Sequence, residues 1–133
     1  MKKLLEKGIE LVEDIPGQGA KAEKGCQIVY NARLFLRHGD EVTNDPRSIG
    51  LYRDRLNIRQ IDGIELIDHT TILGKRQPIP CVEKSLYGMQ PGGFREILAS
   101  SHLCYSETGI DGLIPPSAML RVQLWVQEVS SVK

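Results

Sequence analysis

Apolar and polar residues alternate most regularly near the end of the chain. Leu120, Val122, Leu124 and Val126 fall on one face, with Arg121, Gln123 and Gln127 opposite. A period of two is what a strand with one buried face produces, so this stretch predicts the last strand. CQIVYNARLFL, residues 26–36, alternates nearly as well: Ile28, Tyr30, Ala32, Leu34 and Leu36 share one face, opposite Gln27, Asn31 and Arg33 with Val29 and Phe35. GIELVEDIPGQG (8–19) predicts a short strand ending in a Pro-Gly turn, RHGDE (37–41) a turn, and GFREILAS (93–100) a further strand. The period changes in PCVEKSLYGM (80–89), where Val82, Leu86 and Met89 stand at helical spacing, with Pro80 near the start and Gly88 near the end. That predicts one short helix. On the last strand Trp125 points away from Leu124 and Val126. It is expected to be partly exposed, or covered by the N-terminal segment or by the middle of the chain.

The pattern is weaker across residues 44–74. Asp62-Gly63 lies between LNIRQI and IELI. Asp-Gly in that setting signals a hairpin, because a type I′ turn needs positive φ at both central residues. Two readings stay open here, an extra hairpin and a long surface loop. No internal repeat, linker or low-complexity tract breaks the 133 residues. A chain of that length is one domain, residues 1–133, able to bury a core of its own. Many strands and one short helix make it an antiparallel α+β domain.

Charge narrows the function classes. There are 17 basic and 17 acidic residues and no formal net charge, which argues against a generic partner among nucleic acids or anionic membranes. No apolar run approaches the roughly 20 residues of a spanning helix. The opening MKKLLEKGIELVED lacks the apolar centre of a signal peptide, and a cytoplasmic location is expected. Cys26, Cys81 and Cys104 are scattered with no C-x-x-C spacing. They are expected as small apolar core residues in a reducing compartment. His38, His69 and His102 lie far apart and are expected at the surface or in turns rather than on a metal. GQG and GMQPGG sit outside any strand–loop–helix phosphate context, so nucleotide binding is not expected.

Several stretches together carry a resemblance. PGQGAKAEKG, GDEV, LGKRQPIP, LYGMQPGGFRE and YSETGIDGLIPPSAMLRV occur in the order found in FKBP-type peptidyl-prolyl cis-trans isomerases. The chain resembles that family from about residue 8 to about residue 129, and GMQPGG followed by GLIPPSAML is the most specific part. The resemblance implies an FKBP-like antiparallel half-barrel sheet wrapped around one short helix, with an extended segment around residues 44–72. It also implies a loop overhanging an apolar pocket before Pro115-Pro116, whose fixed φ stiffens the approach to the last strand. The implied activity is rotation about X-Pro bonds in proline-containing polypeptides, assisting protein folding. Such rotation faces a barrier of about 18–20 kcal/mol and is slow without help. No bond is broken, so no nucleophile, metal or cofactor is needed.

The resemblance also implies a set of site residues. Ile79 stands where a backbone N–H bonds the bound peptide, and Gln77 and Pro78 match the peptide-contacting stretch before the helix. Val82 takes the pocket floor, where the family often has tryptophan. Tyr105 matches the tyrosine whose hydroxyl bonds a substrate carbonyl. Leu113 and Ile114 form the overhanging loop, Val122 the wall from the last strand, and Ile110 a variable loop position. Val42 replaces a phenylalanine, Thr43 a catalytic aspartate, and Ala32 a pocket tyrosine. The segment 44–72 is longer than usual, and no large insertion precedes the Pro-Pro, so the chaperone flap of some bacterial relatives is missing. These small aliphatic walls imply reduced activity and weak or no macrolide binding. Two functions follow, an isomerase of reduced activity and a non-catalytic binding module that uses the pocket or the 44–72 insertion. Tyr105, Ile79 and the LIPP loop favour the first. Ala32 and Thr43 favour the second.

Overall fold

The two segments with the clearest alternation lie side by side. β3 (Cys26–Leu36) and β8 (Leu120–Ser131) pair antiparallel from Cys26 opposite Ser131 to Leu36 opposite Leu120. The computed structural model describes residues 3–6, 8–36, 39, 58–61, 63–75, 79–103 and 119–131. Around that central pair stand β1 (Lys3–Glu6), β2 (Ile9–Ile15), β6 (His69–Ile72) and β7 (Phe94–Ala99), in a six-stranded sheet of order β1-β2-β7-β8-β3-β6. Every pairing in it is antiparallel. A separate two-stranded hairpin joins β4 (Ile58–Ile61) to β5 (Ile64–Ile67). One α-helix, α1 (Pro80–Leu86), and a single 3-10 turn at Ser101–Leu103 complete the regular structure among the described residues.

Register fixes which side chains meet. Leu34 lies opposite Val122, which lies opposite Ile97, and Leu120 lies between Leu36 and Ala99. These residues share the inner face of the sheet. The helix lays Cys81, Val82, Ser85 and Leu86 onto it, and Leu120, Val122, Leu124 and Val126 are fully buried. Full burial of each such aliphatic side chain stabilises by about 1.5–3 kcal/mol, so the strand–helix layer is the main source of stability. An antiparallel sheet packed on one short helix is therefore the architecture of the described residues.

The structure goes beyond the expected elements in three places. The N-terminal residues form β1 against the outer edge of β2, and His69–Ile72 form β6 against β3. Of the two readings of the middle segment, the hairpin is the one observed, with Gly63 in its turn at φ 81°. Third, the outer face of β3 is covered, not solvated. Asn31 is fully buried there, and Phe35 is buried between the guanidinium groups of Arg33 and Arg121 at 4.9 and 4.8 Å. Trp125 also lies on the outer face. Its ring is 5.0 Å from that of Phe94, and it lines a cleft with Gln60 and Ile61 of the middle hairpin.

The turn after β2 passes close to the chain preceding β7. Gln18 N–H donates to the Pro91 carbonyl at 3.0 Å, and a Cβ on Gly17 would stand 2.1 Å from that same oxygen. Only glycine fits such an approach. Cys81 is buried and Cys26 half-buried, neither of them in a disulfide, while Cys104 lies outside the described residues.

Candidate functional site

The inner face of the sheet and the first turn of α1 bring the apolar candidates together. Pro80 occupies the first helical turn, where its missing N–H is not needed. Ile79 is the N-cap, in an extended conformation at φ −61° and ψ 151°. Its carbonyl accepts from the Val82 and Glu83 N–H groups at 3.0 and 3.1 Å. Its own N–H has no intramolecular acceptor among the described residues. Val82, one turn on, is buried in the cluster that also holds Ala32 and Leu34 of β3 and Val122 of β8, and Ile79 packs against that cluster. Val82, Val122 and Ala32 are thus drawn into one apolar cluster, with half-buried Ile79 packed against it.

Both ends of the helix are tied down. The Glu83 carboxylate accepts the Gly74 N–H at 3.0 Å, binding the connection after β6 to the first turn of α1. At the other end Arg95, buried on β7, donates through Nη1 to the Ser85 carbonyl at 2.9 Å and the Tyr87 carbonyl at 2.7 Å. Those are carbonyls that a helix C-terminus leaves unpaired. Arg95 Nε reaches Asp14 Oδ1 at 3.1 Å, so β2, β7 and α1 share one guanidinium. A fixed helix keeps the Ile79 amide at a fixed height above the sheet.

A second group borders the same surface and was not singled out by spacing. Tyr30 is buried on the β3 face that carries Ala32, and its ring centroid is 5.4 Å from that of His69, which is its pairing partner on β6. An aromatic ring therefore does stand on this face, two residues before Ala32. His69 was expected at the surface or in a turn. It is instead half-buried in a strand, because the polar stretch His69–Ile72 is the sheet's edge partner for β3. Burial lowers its pKa below the ordinary histidine value, while the neighbouring Asp68 charge pulls the other way. His102 is exposed, its Nδ1 2.9 Å from the Ser100 hydroxyl.

On the reverse side of β3, Asn31 anchors the root of the middle hairpin. Its Nδ2 donates to the Ile67 carbonyl at 2.9 Å and to Asp68 Oδ1 at 2.6 Å, and its Oδ1 accepts from Gln127 Nε2 at 2.9 Å. The short connection between β5 and β6 is held from both sides of β3, by Asn31 on one and Tyr30 on the other.

Tyr105, Thr43, Val42, Gln77, Pro78, Ile110, Leu113 and Ile114 lie outside the described residues, as does His38. Among the described residues no group of His, Cys, Asp and Glu side chains could hold a metal ion, and no helix is long and apolar enough to cross a membrane.

Comparison with known proteins gives one family and a set of folds. The family model for FKBP-type peptidyl-prolyl cis-trans isomerases matches residues 18–124. The N-terminal domain of FKBP42 from Arabidopsis thaliana superposes with a TM-score of 0.71 at 14% identity, over 98% of this chain and 93% of that one. A peptidyl-prolyl cis-trans isomerase from Pseudomonas syringae pv. tomato superposes with a TM-score of 0.72 at 20% identity, over 98% of this chain and 81% of that one. No curated protein sequence matches.

Proposed function

The chain belongs to the FKBP-type peptidyl-prolyl cis-trans isomerase family, and we propose that it catalyses X-Pro rotation, at a reduced rate, in the apolar site between α1 and the sheet. The observation that carries this reading is Ile79: an extended N-cap whose N–H has no acceptor among the described residues, packed against the cluster of Val82, Val122 and Ala32. A proline ring enters such a surface at no polar cost. A dry environment disfavours the charge-separated resonance form that gives the amide its double-bond character, and so lowers the barrier to rotation. A donor held rigidly on a neighbouring carbonyl of the substrate stabilises the twisted geometry over the planar one. The chemistry calls for shape and donors only.

In this reading the Ile79 amide and the Tyr105 hydroxyl bond the bound peptide, and Thr43 occupies a catalytic position without the charge of an aspartate. Val42, Gln77, Pro78, Ile110, Leu113 and Ile114 complete the walls around Val82 and Val122. The substrates are proline-containing polypeptides, and the role is assistance to protein folding. In this reading small side chains at Ala32, Val82 and Val122 stand in place of aromatic walls, which lowers the rate and weakens macrolide binding. A second reading, a non-catalytic module that holds a protein partner, draws support from the hairpin β4–β5, which Asn31 fixes to the sheet.

An isomerisation assay without a coupling protease separates the two. Exchange in an Ala-Leu-Pro-Phe peptide is followed by NMR over a series of protein concentrations. The expected result is a rate that rises with concentration and falls in Tyr105→Phe. No acceleration at the highest concentration overturns the enzyme and leaves the binding module.

A further inference from the structure

Two consecutive residues of β3 engage two consecutive residues of the β5–β6 connection. Asn31 takes Asp68 on the outer side, and Tyr30 takes His69 on the inner side. Tyr30 in turn belongs to the same buried cluster as Ala32, Val82 and Val122. The imidazole of His69 is therefore one ring removed from the apolar surface of the site. The rings are tilted by 30° to one another, close to an offset stack. We propose that neutral His69 is a positioning residue, which holds the Tyr30 ring against the floor of the site, and that protonating it loosens the site towards X-Pro peptides. This rests on the reading of that surface as a proline site.

The physical reason is the placement of the histidine. A neutral imidazole tolerates a half-buried position against a phenol ring, whereas an imidazolium in the same place forfeits hydration. Among the described residues, the groups that act on it are the Tyr30 ring from β3 and the Asp68 carboxylate beside it. Asp68 favours the charged form, but its Oδ1 already accepts from Asn31 on the other side of the strand. Burial outweighs Asp68, and the proton is held less readily than in an ordinary histidine. On protonation the ring gains by moving out towards water. Tyr30 then loses its ring contact with His69, and that side of the site loses part of its order.

The test is the affinity of the full chain for an Ala-Leu-Pro-Phe peptide, by NMR titration over a series from about pH 8 to about pH 4.5, far enough to pass a lowered histidine pKa. The expected result is a several-fold loss of affinity at the low end of the series. His69→Phe, which keeps a ring but takes no proton, should show a flat profile, and so should His69→Gln, with weaker binding at every pH because the ring contact to Tyr30 is gone. A flat profile in the unaltered chain, or an undiminished pH dependence in both variants, overturns the proposal. If no peptide binds at any pH, it is the proline-site reading that fails. The Tyr30 ring resonances then decide the remaining part. They shift with the His69 titration if His69 positions Tyr30, and stay constant if it does not.

Discussion

Arg95 holds the end of α1 from the strand beneath it, its Nη1 only 2.7 Å from the Tyr87 carbonyl. Replacing Arg95 by Met fills the space but leaves the Ser85 and Tyr87 carbonyls and the Asp14 carboxylate without this donor. A loss of about 2–4 kcal/mol is expected, in the range for breaking a buried, charge-assisted network. Asp14→Asn should cost less than about 1 kcal/mol, because that carboxylate is partly in water and its pairing is screened. Arg95→Lys should rescue poorly, since one ammonium cannot reproduce a planar fork serving three acceptors. Urea unfolding midpoints check all three. An Asp14→Asn loss as large as that of Arg95→Met would place the energy in the ion pair and not in the helix end.

Asn31 makes the complementary connection on the outer face. Asn31→Ala removes its hydrogen bonds to Ile67, Asp68 and Gln127, and should cost about 2–3 kcal/mol. Amide exchange in β4 and β5 should quicken well before that of β3 and β8. Asn31→Asp places a second carboxylate against Asp68. The pair cannot both ionise cheaply, so the carboxyl pKa in the folded state rises above its unfolded value. The sign is therefore opposite to that of an ordinary salt-bridged acid: this variant gains stability as pH falls towards about 5. Midpoints measured down a pH series show the trend directly.

Much of this was legible in the alternation of residues. β3 and β8 announce themselves because each has an unbroken apolar set at period two, and the helix because Val82 and Leu86 break that period. β1 and β6 were not legible. Each has four residues, and KLLE and HTTI carry no alternation that distinguishes an edge strand from a loop. Arg95 did leave a signal, since it falls in phase with Ile97 and Ala99, and a charge at a core position must find buried acceptors. Of the residues the resemblance points to, Val82 and Val122 share one buried cluster and Ile79 packs against it. Tyr30 was visible as a residue of the buried face, but its role against His69 depends on the pairing of β3 with β6, a long-range contact that local pattern does not encode.

His69 gives the stability of the chain its own pH dependence. Its pKa in the folded state lies below the ordinary value of 6.5. The unfolded chain therefore binds the proton first. The contribution of His69 is fully present above about pH 6.5 and is lost as pH falls through its lowered folded-state value. Thermal unfolding followed between about pH 7.5 and pH 5 should show this decline, and His69→Phe should remove part of it. If His69→Phe declines as steeply as the unaltered chain, the carboxylates alone account for the loss.

Ser85 offers a gain. Its hydroxyl is buried and has no hydrogen-bond partner among the described residues. It sits on α1 facing the core. Ser85→Ala removes a desolvated polar group and improves helix propensity, so stability should rise by about 1 kcal/mol. A melting temperature that falls would mean that the hydroxyl is satisfied in solution.

The last prediction isolates the Ile79 amide. Mutating a backbone donor is rarely clean, but the geometry here permits it. Ile79 has φ −61°, within the range that proline enforces, and ψ 151°, the extended value that a residue before Pro80 prefers. Its N–H has no intramolecular acceptor among the described residues, so Ile79→Pro breaks no backbone hydrogen bond among them. Ile79→Val keeps the donor and trims the side chain, and controls for packing. If the amide bonds the peptide during rotation, kcat/KM should fall by about tenfold in Ile79→Pro relative to Ile79→Val, the equivalent of one hydrogen bond in the transition state. The two variants should melt at similar temperatures. Equal activity in both would remove Ile79 from the mechanism and leave the apolar surface alone to account for any acceleration.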